Sequence, residues 1–116
     1  MKKTIAIALL AAGTFATSAF AAEVPLEKIK EKAKTCAACH GEDGNAAANP
    51  MYPRLAGQYH DYLARALHEY KSGDRKNPIM AGFVTTLSED EIQGLSRYFA
   101  SLPGKLDDLS RHEQGN

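Results

Sequence analysis

Only two cysteines occur in this 116-residue chain, which leaves a structural zinc site short of thiolate ligands. The chain has no excess of either charge: 14 basic residues balance 14 acidic ones. Such a balance does not suit a nucleic-acid-binding surface. A membrane-spanning apolar length is also missing, because the run from Ile5 to Ala12 is short and Gly13, Thr14, Thr17 and Ser18 interrupt its continuation. No segment alternates apolar and polar residues as a strand would, and no internal repeat is present. What remains is one small domain with a modest core.

The N-terminus has a separate purpose. Met1-Lys2-Lys3 is a positive start, the short apolar run follows, and Ala19-Phe20-Ala21 has the small-x-small form of a cleavage site. Residues 1–21 are therefore expected to be a cleaved signal peptide, 22–104 the folded domain and 105–116 a polar tail. Losing Lys2 and Lys3 leaves a formal charge of −2. The short di-lysine signal points to a bacterial periplasm, an oxidising compartment in which free thiols do not persist unused. No membrane insertion is expected after cleavage.

Helical spacing dominates the rest. Leu26, Ile29, Ala33 and Cys36 share one side of a helix from Pro25 to about Ala38. The lysines at 28, 30, 32 and 34 read as a solvated face with opposite-charge neighbours rather than a docking patch. Tyr59, Tyr62, Leu63, Ala66, Leu67 and Tyr70 mark a second helix from about Gln58 to Ser72, stopped by Gly73. Ser88 with Glu91 forms a capping box for a third, whose stripe is Ile92, Leu95, Phe99 and Leu102 and whose stop is Pro103-Gly104. Three main helices joined by two long loops are thus expected, with Asn77-Pro78 as a turn. Loops of that length in so small a domain wrap something or carry function.

Both cysteines lie in Cys36-Ala37-Ala38-Cys39-His40. On a helical turn, cysteines three apart project from the same face, with the histidine in a neighbouring sector. That pattern is the attachment signature of a c-type haem: two thioethers from Cys36 and Cys39, and His40 on the iron. A thioredoxin-like pair belongs at a helix start after a strand, and here the pair closes a helix with no strand nearby. A zinc site would need two of His40, His60, His68 and His112 at spacings foreign to known fingers. A disulfide across so short a loop would stabilise little. Covalent haem also supplies the interior that the short core lacks, so the chain without it is expected to be largely disordered.

A second axial ligand would make the site a low-spin electron carrier, and a thioether favours the ferrous state. Met80, in the expected loop beyond Asn77-Pro78, is far enough along the chain to reach the opposite haem face. Met51 follows His40 too closely. Met51, His60, His68 or an open sixth position are the alternatives, and an open position would make a gas-binding protein instead.

Cys36-Ala37-Ala38-Cys39-His40-Gly41, Pro53-Arg54-Leu55-Ala56-Gly57-Gln58 and Asn77-Pro78-Ile79-Met80, followed by Leu87-Ser88 and Tyr98, resemble the class I c-type cytochromes, in particular the small periplasmic cytochrome c-553-like group. The resemblance covers nearly the whole mature chain in order. It implies an all-α cytochrome c fold in which the first and last helices cross around one haem. It further implies axial ligation by His40 and Met80, with the Pro53 carbonyl accepting the His40 Nδ1 hydrogen. Leu55 would pack on the haem, and Tyr98 and Phe99 would face the helix crossing or the haem pocket. The implied activity is one-electron transfer without catalytic residues. Partners would be transient: a reductase or dehydrogenase upstream, an oxidase or reductase downstream, or a larger complex of which the chain is the haem subunit.

Overall fold

The computed structural model describes residues 23–46, 49 and 51–105; the expected signal peptide and the tail from 106 onward lie outside them. Four helices follow one another: α1 Leu26–His40, α2 His60–Ser72, α3 Pro78–Val84 and α4 Glu89–Ser101. No strand occurs among the described residues, so the all-α expectation holds.

The extra helix, α3, occupies the stretch expected to be a loop. Its start explains the difference. The Asn77 side chain accepts hydrogen bonds from the Ile79 and Met80 backbone N–H groups at 3.0 and 3.1 Å, and Pro78 takes the first helical position. Asparagine followed by proline is a turn signal, and it is equally an N-cap followed by a residue with helical φ and no N–H to satisfy. Seven residues then suffice for one short helix whose Val84 is buried.

The other boundaries follow local chemistry. α1 continues two residues past its expected end, to His40, and stops where Gly41 turns to φ +86°. At the end of α2, Gly73 takes the left-handed conformation with φ +87°. Beyond it, Arg75 lies over the Tyr70 ring, 5.2 Å from its centroid. The capping box of α4 is formed in both directions, Glu91 N–H to Ser88 Oγ at 3.2 Å and Ser88 N–H to Glu91 Oε2 at 2.8 Å.

α4 organises the packing. It lies against both α1 and α2, α3 lies against α2 alone, and α1 and α3 do not touch. The core joins Ile29 and Ala33 of α1, Leu63 and Ala64 of α2, Val84, Leu87, and Ile92, Leu95 and Phe99 of α4. At about 1.5–3 kcal/mol for each large buried side chain, this core is small against the conformational entropy of the chain. Beside it the buried Ser96 hydroxyl has no hydrogen-bond partner among the described residues.

The α1–α4 crossing is close because residue 94 is glycine. A Cβ there would lie 2.5 Å from Ile29 Cδ1 and 2.8 Å from Cγ1, and Ile29 is only 2% exposed, so its side chain has no room to retreat. Two ion pairs bridge the same helices or their approach: Lys32 to Glu91 at 2.7 Å, and Glu23 to Arg97 at 2.6 Å. Lys32 thus departs from the solvated-face reading. Lys30 and Lys34 keep to it, paired with Glu27 and Glu31 on their own helix.

Gly94→Ala should destabilise the protein by about 1–3 kcal/mol through overpacking, read as a lower midpoint in denaturant unfolding; an unchanged midpoint would show that the crossing is loose. A second expectation concerns pH. The Lys32 ammonium, and then the Ser88 N–H, hold the Glu91 carboxyl below its ordinary value of 4.5. A carboxyl lowered in the folded state contributes stability above its unfolded value and loses it as pH falls through the folded one. The thermal midpoint should therefore fall on acidification below about pH 4.5, and Glu91→Gln, which preserves the capping geometry, should flatten that part of the acid limb.

Candidate functional site

The whole Cys36–His40 segment lies in the last turn and a half of α1. Cys36 and Cys39 are half-buried and not joined to each other. Three positions apart on a helix, they occupy one face. Burial pushes the Cys36 thiol up, and a backbone hydrogen bond and, less, the nearby Lys32 offset this only in part. That is the reverse of the lowered thiol on which a thioredoxin-like pair depends.

His40 is 5% exposed. Its Nδ1 lies 2.8 Å from the Pro53 carbonyl oxygen. A carbonyl can only accept, so Nδ1 carries the hydrogen and Nε2 of the neutral ring presents its lone pair. Among the described residues Nε2 has no hydrogen-bond partner. Tyr52 meets the imidazole edge-on, with centroids 6.2 Å apart and planes at 63°.

Two loops hold this arrangement. The Ala46 N–H donates to the His40 carbonyl at 2.7 Å, folding the chain back under the helix end. The Leu55 and Ala56 N–H groups both donate to the Gly44 carbonyl, at 2.7 and 3.0 Å, which fastens the Pro53 loop to the turn after His40. Gly44 has φ +71°, and a Cβ there would come within 3.2 Å of Ala56 Cβ and Phe99 Cδ1. Only glycine fits that position without strain.

Met80 belongs to the first turn of α3 and is half-buried, its side chain packed on the core. Leu55, Cys36 and Tyr98 pack on the same core, also half-buried. Met51, by contrast, is 82% exposed. Phe83, one turn beyond Met80, is half-exposed rather than packed inside. Phe99 is buried and meets Tyr98 edge-on at 5.2 Å. His60 and His68 lie on α2 along a depression of about 740 Å³ remote from Cys36, and His68 pairs with Glu89 of α4 at 3.3 Å. His112 lies outside the described residues. Two residues of the site went unread in the sequence, Tyr52 against the histidine and the buried Asn45. Neither stands in a periodic pattern that would mark it.

A haem attached by two thioethers and one imidazole asks for two thiols one helical turn apart, a histidine whose Nε2 is not taken by a hydrogen bond, and an acceptor that holds Nδ1. The donor set has all three. The chain also matches known proteins. The family model described as Cytochrome c matches residues 27–103. A cytochrome c4 of Pseudomonas aeruginosa is 46% identical over 70 residues, 60% of this chain and 34% of that protein. The cytochrome subunit of sulfide dehydrogenase from Chlorobaculum tepidum is 32% identical over 103 residues, 84% of this chain and 92% of that protein. Among solved structures, the cytochrome c4 of Acidithiobacillus ferrooxidans superposes with a TM-score of 0.61 at 27% identity, over 66% of this chain and 49% of that one. The chain therefore spans about a third to a half of the c4 proteins and nearly all of the sulfide dehydrogenase subunit. The c4 name, rather than c-553, recurs in these relatives. With residues 27–103 matched and the thiols and histidine in attachment spacing, the chain belongs to the cytochrome c family, whose class I fold and covalent haem c it shares.

Proposed function

We propose that this chain is a periplasmic one-electron carrier whose haem is tethered through Cys36 and Cys39 and ligated axially by His40 and Met80. The observation that carries the reading is the orientation of His40. Its Nδ1–H is committed to the Pro53 carbonyl at 2.8 Å, which leaves Nε2 as the nitrogen for a metal, on the same helix end that carries the two thiols.

The positions of the two methionines support the remaining ligand. α1, with His40, packs on α4, whereas α3, with Met80, packs on α2 and not on α1. Met80 therefore approaches from a separate wall, half-buried on the core, while Met51 is 82% exposed. The bound haem supplies the ferric–ferrous couple, which a thioether ligand biases toward the reduced form. The chain's residues orient the imidazole, bury it from water and hold the covalent tether. None of them is asked to bind a substrate.

Export and partners follow from the same reading. Cleavage after Ala21 would release the mature protein into the periplasm; among the described residues no helix is long and apolar enough to cross a membrane. Upstream a reductase or dehydrogenase and downstream an oxidase or reductase would meet it transiently. A second reading, a haem subunit resident in a dehydrogenase complex, is favoured by one observation: the sulfide dehydrogenase cytochrome subunit is matched over 92% of its length. Co-purification of tagged holoprotein from the periplasm separates the two.

The ligand assignment is tested by producing the holoprotein with Met80→Ala and, beside it, Met51→Ala. Met80→Ala should abolish the thioether-to-ferric charge-transfer absorption and lower the reduction potential; Met51→Ala should leave both unchanged. The opposite pattern would move the ligand to Met51.

A further inference from the structure

Asn45 is an uncharged polar residue in a loop, yet it is 2% exposed. Its side chain uses both donors and its acceptor. Nδ2 donates to the Asp43 carbonyl and to the Pro103 carbonyl, each at 3.1 Å, and Oδ1 accepts the Lys105 N–H at 2.8 Å. Two of these partners lie 58 and 60 residues further along the chain. A local loop residue thus grips the segment that follows α4.

That segment in turn walls in the Pro53 loop. The Arg54 guanidinium donates to the Lys105 carbonyl at 2.8 Å. Gly57 and Gly104 meet backbone to backbone: a Cβ on Gly57 would lie 2.8 Å from Gly104 Cα, and one on Gly104 would lie 2.7 Å from the Ala56 carbonyl oxygen. On its other side the same loop hangs from the Gly44 carbonyl by the Leu55 and Ala56 N–H groups. Residues 53–57 are therefore held between the turn that carries Asn45 and the segment that Asn45 holds.

We infer that Asn45 is a positioning residue for the axial histidine: by locking residues 103–105 against the 53–57 loop, it keeps the Pro53 carbonyl in place to accept the His40 Nδ1–H. This rests on the proposed ligation by His40. The physical route is short. Without the Nδ2 bond to the Pro103 carbonyl, and with the turn loosened by loss of the Nδ2 bond to the Asp43 carbonyl, the 103–105 segment loses part of its inner anchor, the loop loses one wall, and the Pro53 carbonyl drifts from Nδ1. A weaker acceptor makes the imidazole a poorer donor to iron, which stabilises the ferric state less and raises the potential.

The test uses ferrous holoprotein and Asn45→Asp, which keeps size and the acceptor for Lys105 but sets a carboxylate against two carbonyl oxygens. Gly94→Ala, remote from the loop, is the comparator for lost stability. At matched global stability, Asn45→Asp should speed solvent exchange of the His40 Nδ1–H, followed by NMR, by about tenfold or more relative to Gly94→Ala, the scale of one lost hydrogen bond. It should also raise the reduction potential, which Gly94→Ala should leave unmoved. Equal exchange and equal potentials in the two variants would overturn the inference. Should Asn45→Asp fail to yield holoprotein, wild-type native-state exchange decides: the Lys105 N–H and the His40 Nδ1–H should open as one unit. Lys105 exchanging at frayed-end rates while Nδ1–H keeps global protection would contradict it. A wild-type spectrum without histidine ligation would instead overturn the ligand assignment itself, a failure visible before any variant is made.

Discussion

The hydrogen bond from His40 Nδ1 to the Pro53 carbonyl joins residues thirteen positions apart and sets the tautomer on which the site depends. A free histidine imidazole can carry its hydrogen on either of two distinct nitrogens; here the carbonyl selects Nδ1. Everything around the bond keeps that carbonyl in place: Gly44 with its two N–H donors from the following loop, the glycine pair Gly57 and Gly104, and Asn45 behind them. The density of backbone contacts in residues 41–46 and 51–57 is the structural counterpart of their lack of regular secondary structure. Without a ladder of their own, these polar groups must be satisfied one by one.

The helices supply the frame for that loop. α1 delivers the thiols and the histidine at its C-terminal end, and it crosses α4 closely at Ile29 and Gly94, nearer its N-terminal end. α2 carries α3, and through it Met80, on a separate wall. A core of so few large residues does not by itself account for a stable domain. A covalently tethered apolar ring would supply the remainder, in keeping with Cys36, Leu55, Met80 and Tyr98, which are only half-buried where they border the core.

Much of this was legible in the sequence because it is encoded by neighbours. The capping box of Ser88 and Glu91, the glycine stop at 73 and the spacing of the two cysteines and the histidine are all local patterns, and local patterns survive folding unchanged. α3 was hidden by an ambiguity of the same local kind, since Asn77-Pro78 signals a turn and a helix start with the same atoms. Asn45 was illegible for a different reason. Its composition and setting are those of an exposed loop, and the partners that bury it are 58 and 60 residues away. Lys32 is a similar case: its helical spacing is that of a solvated face, and only the crossing with α4 brings Glu91 within 2.7 Å.

With both axial positions filled from this chain, as proposed, the protein would be a carrier and not a ligand-binding protein. Exposure of the ferrous holoprotein to carbon monoxide tests that most directly, because a position held by Met80 excludes the gas. Absence of a carbon monoxide spectrum on the timescale of mixing is the predicted result. Rapid, saturable formation of one in the wild-type protein at neutral pH would contradict the account.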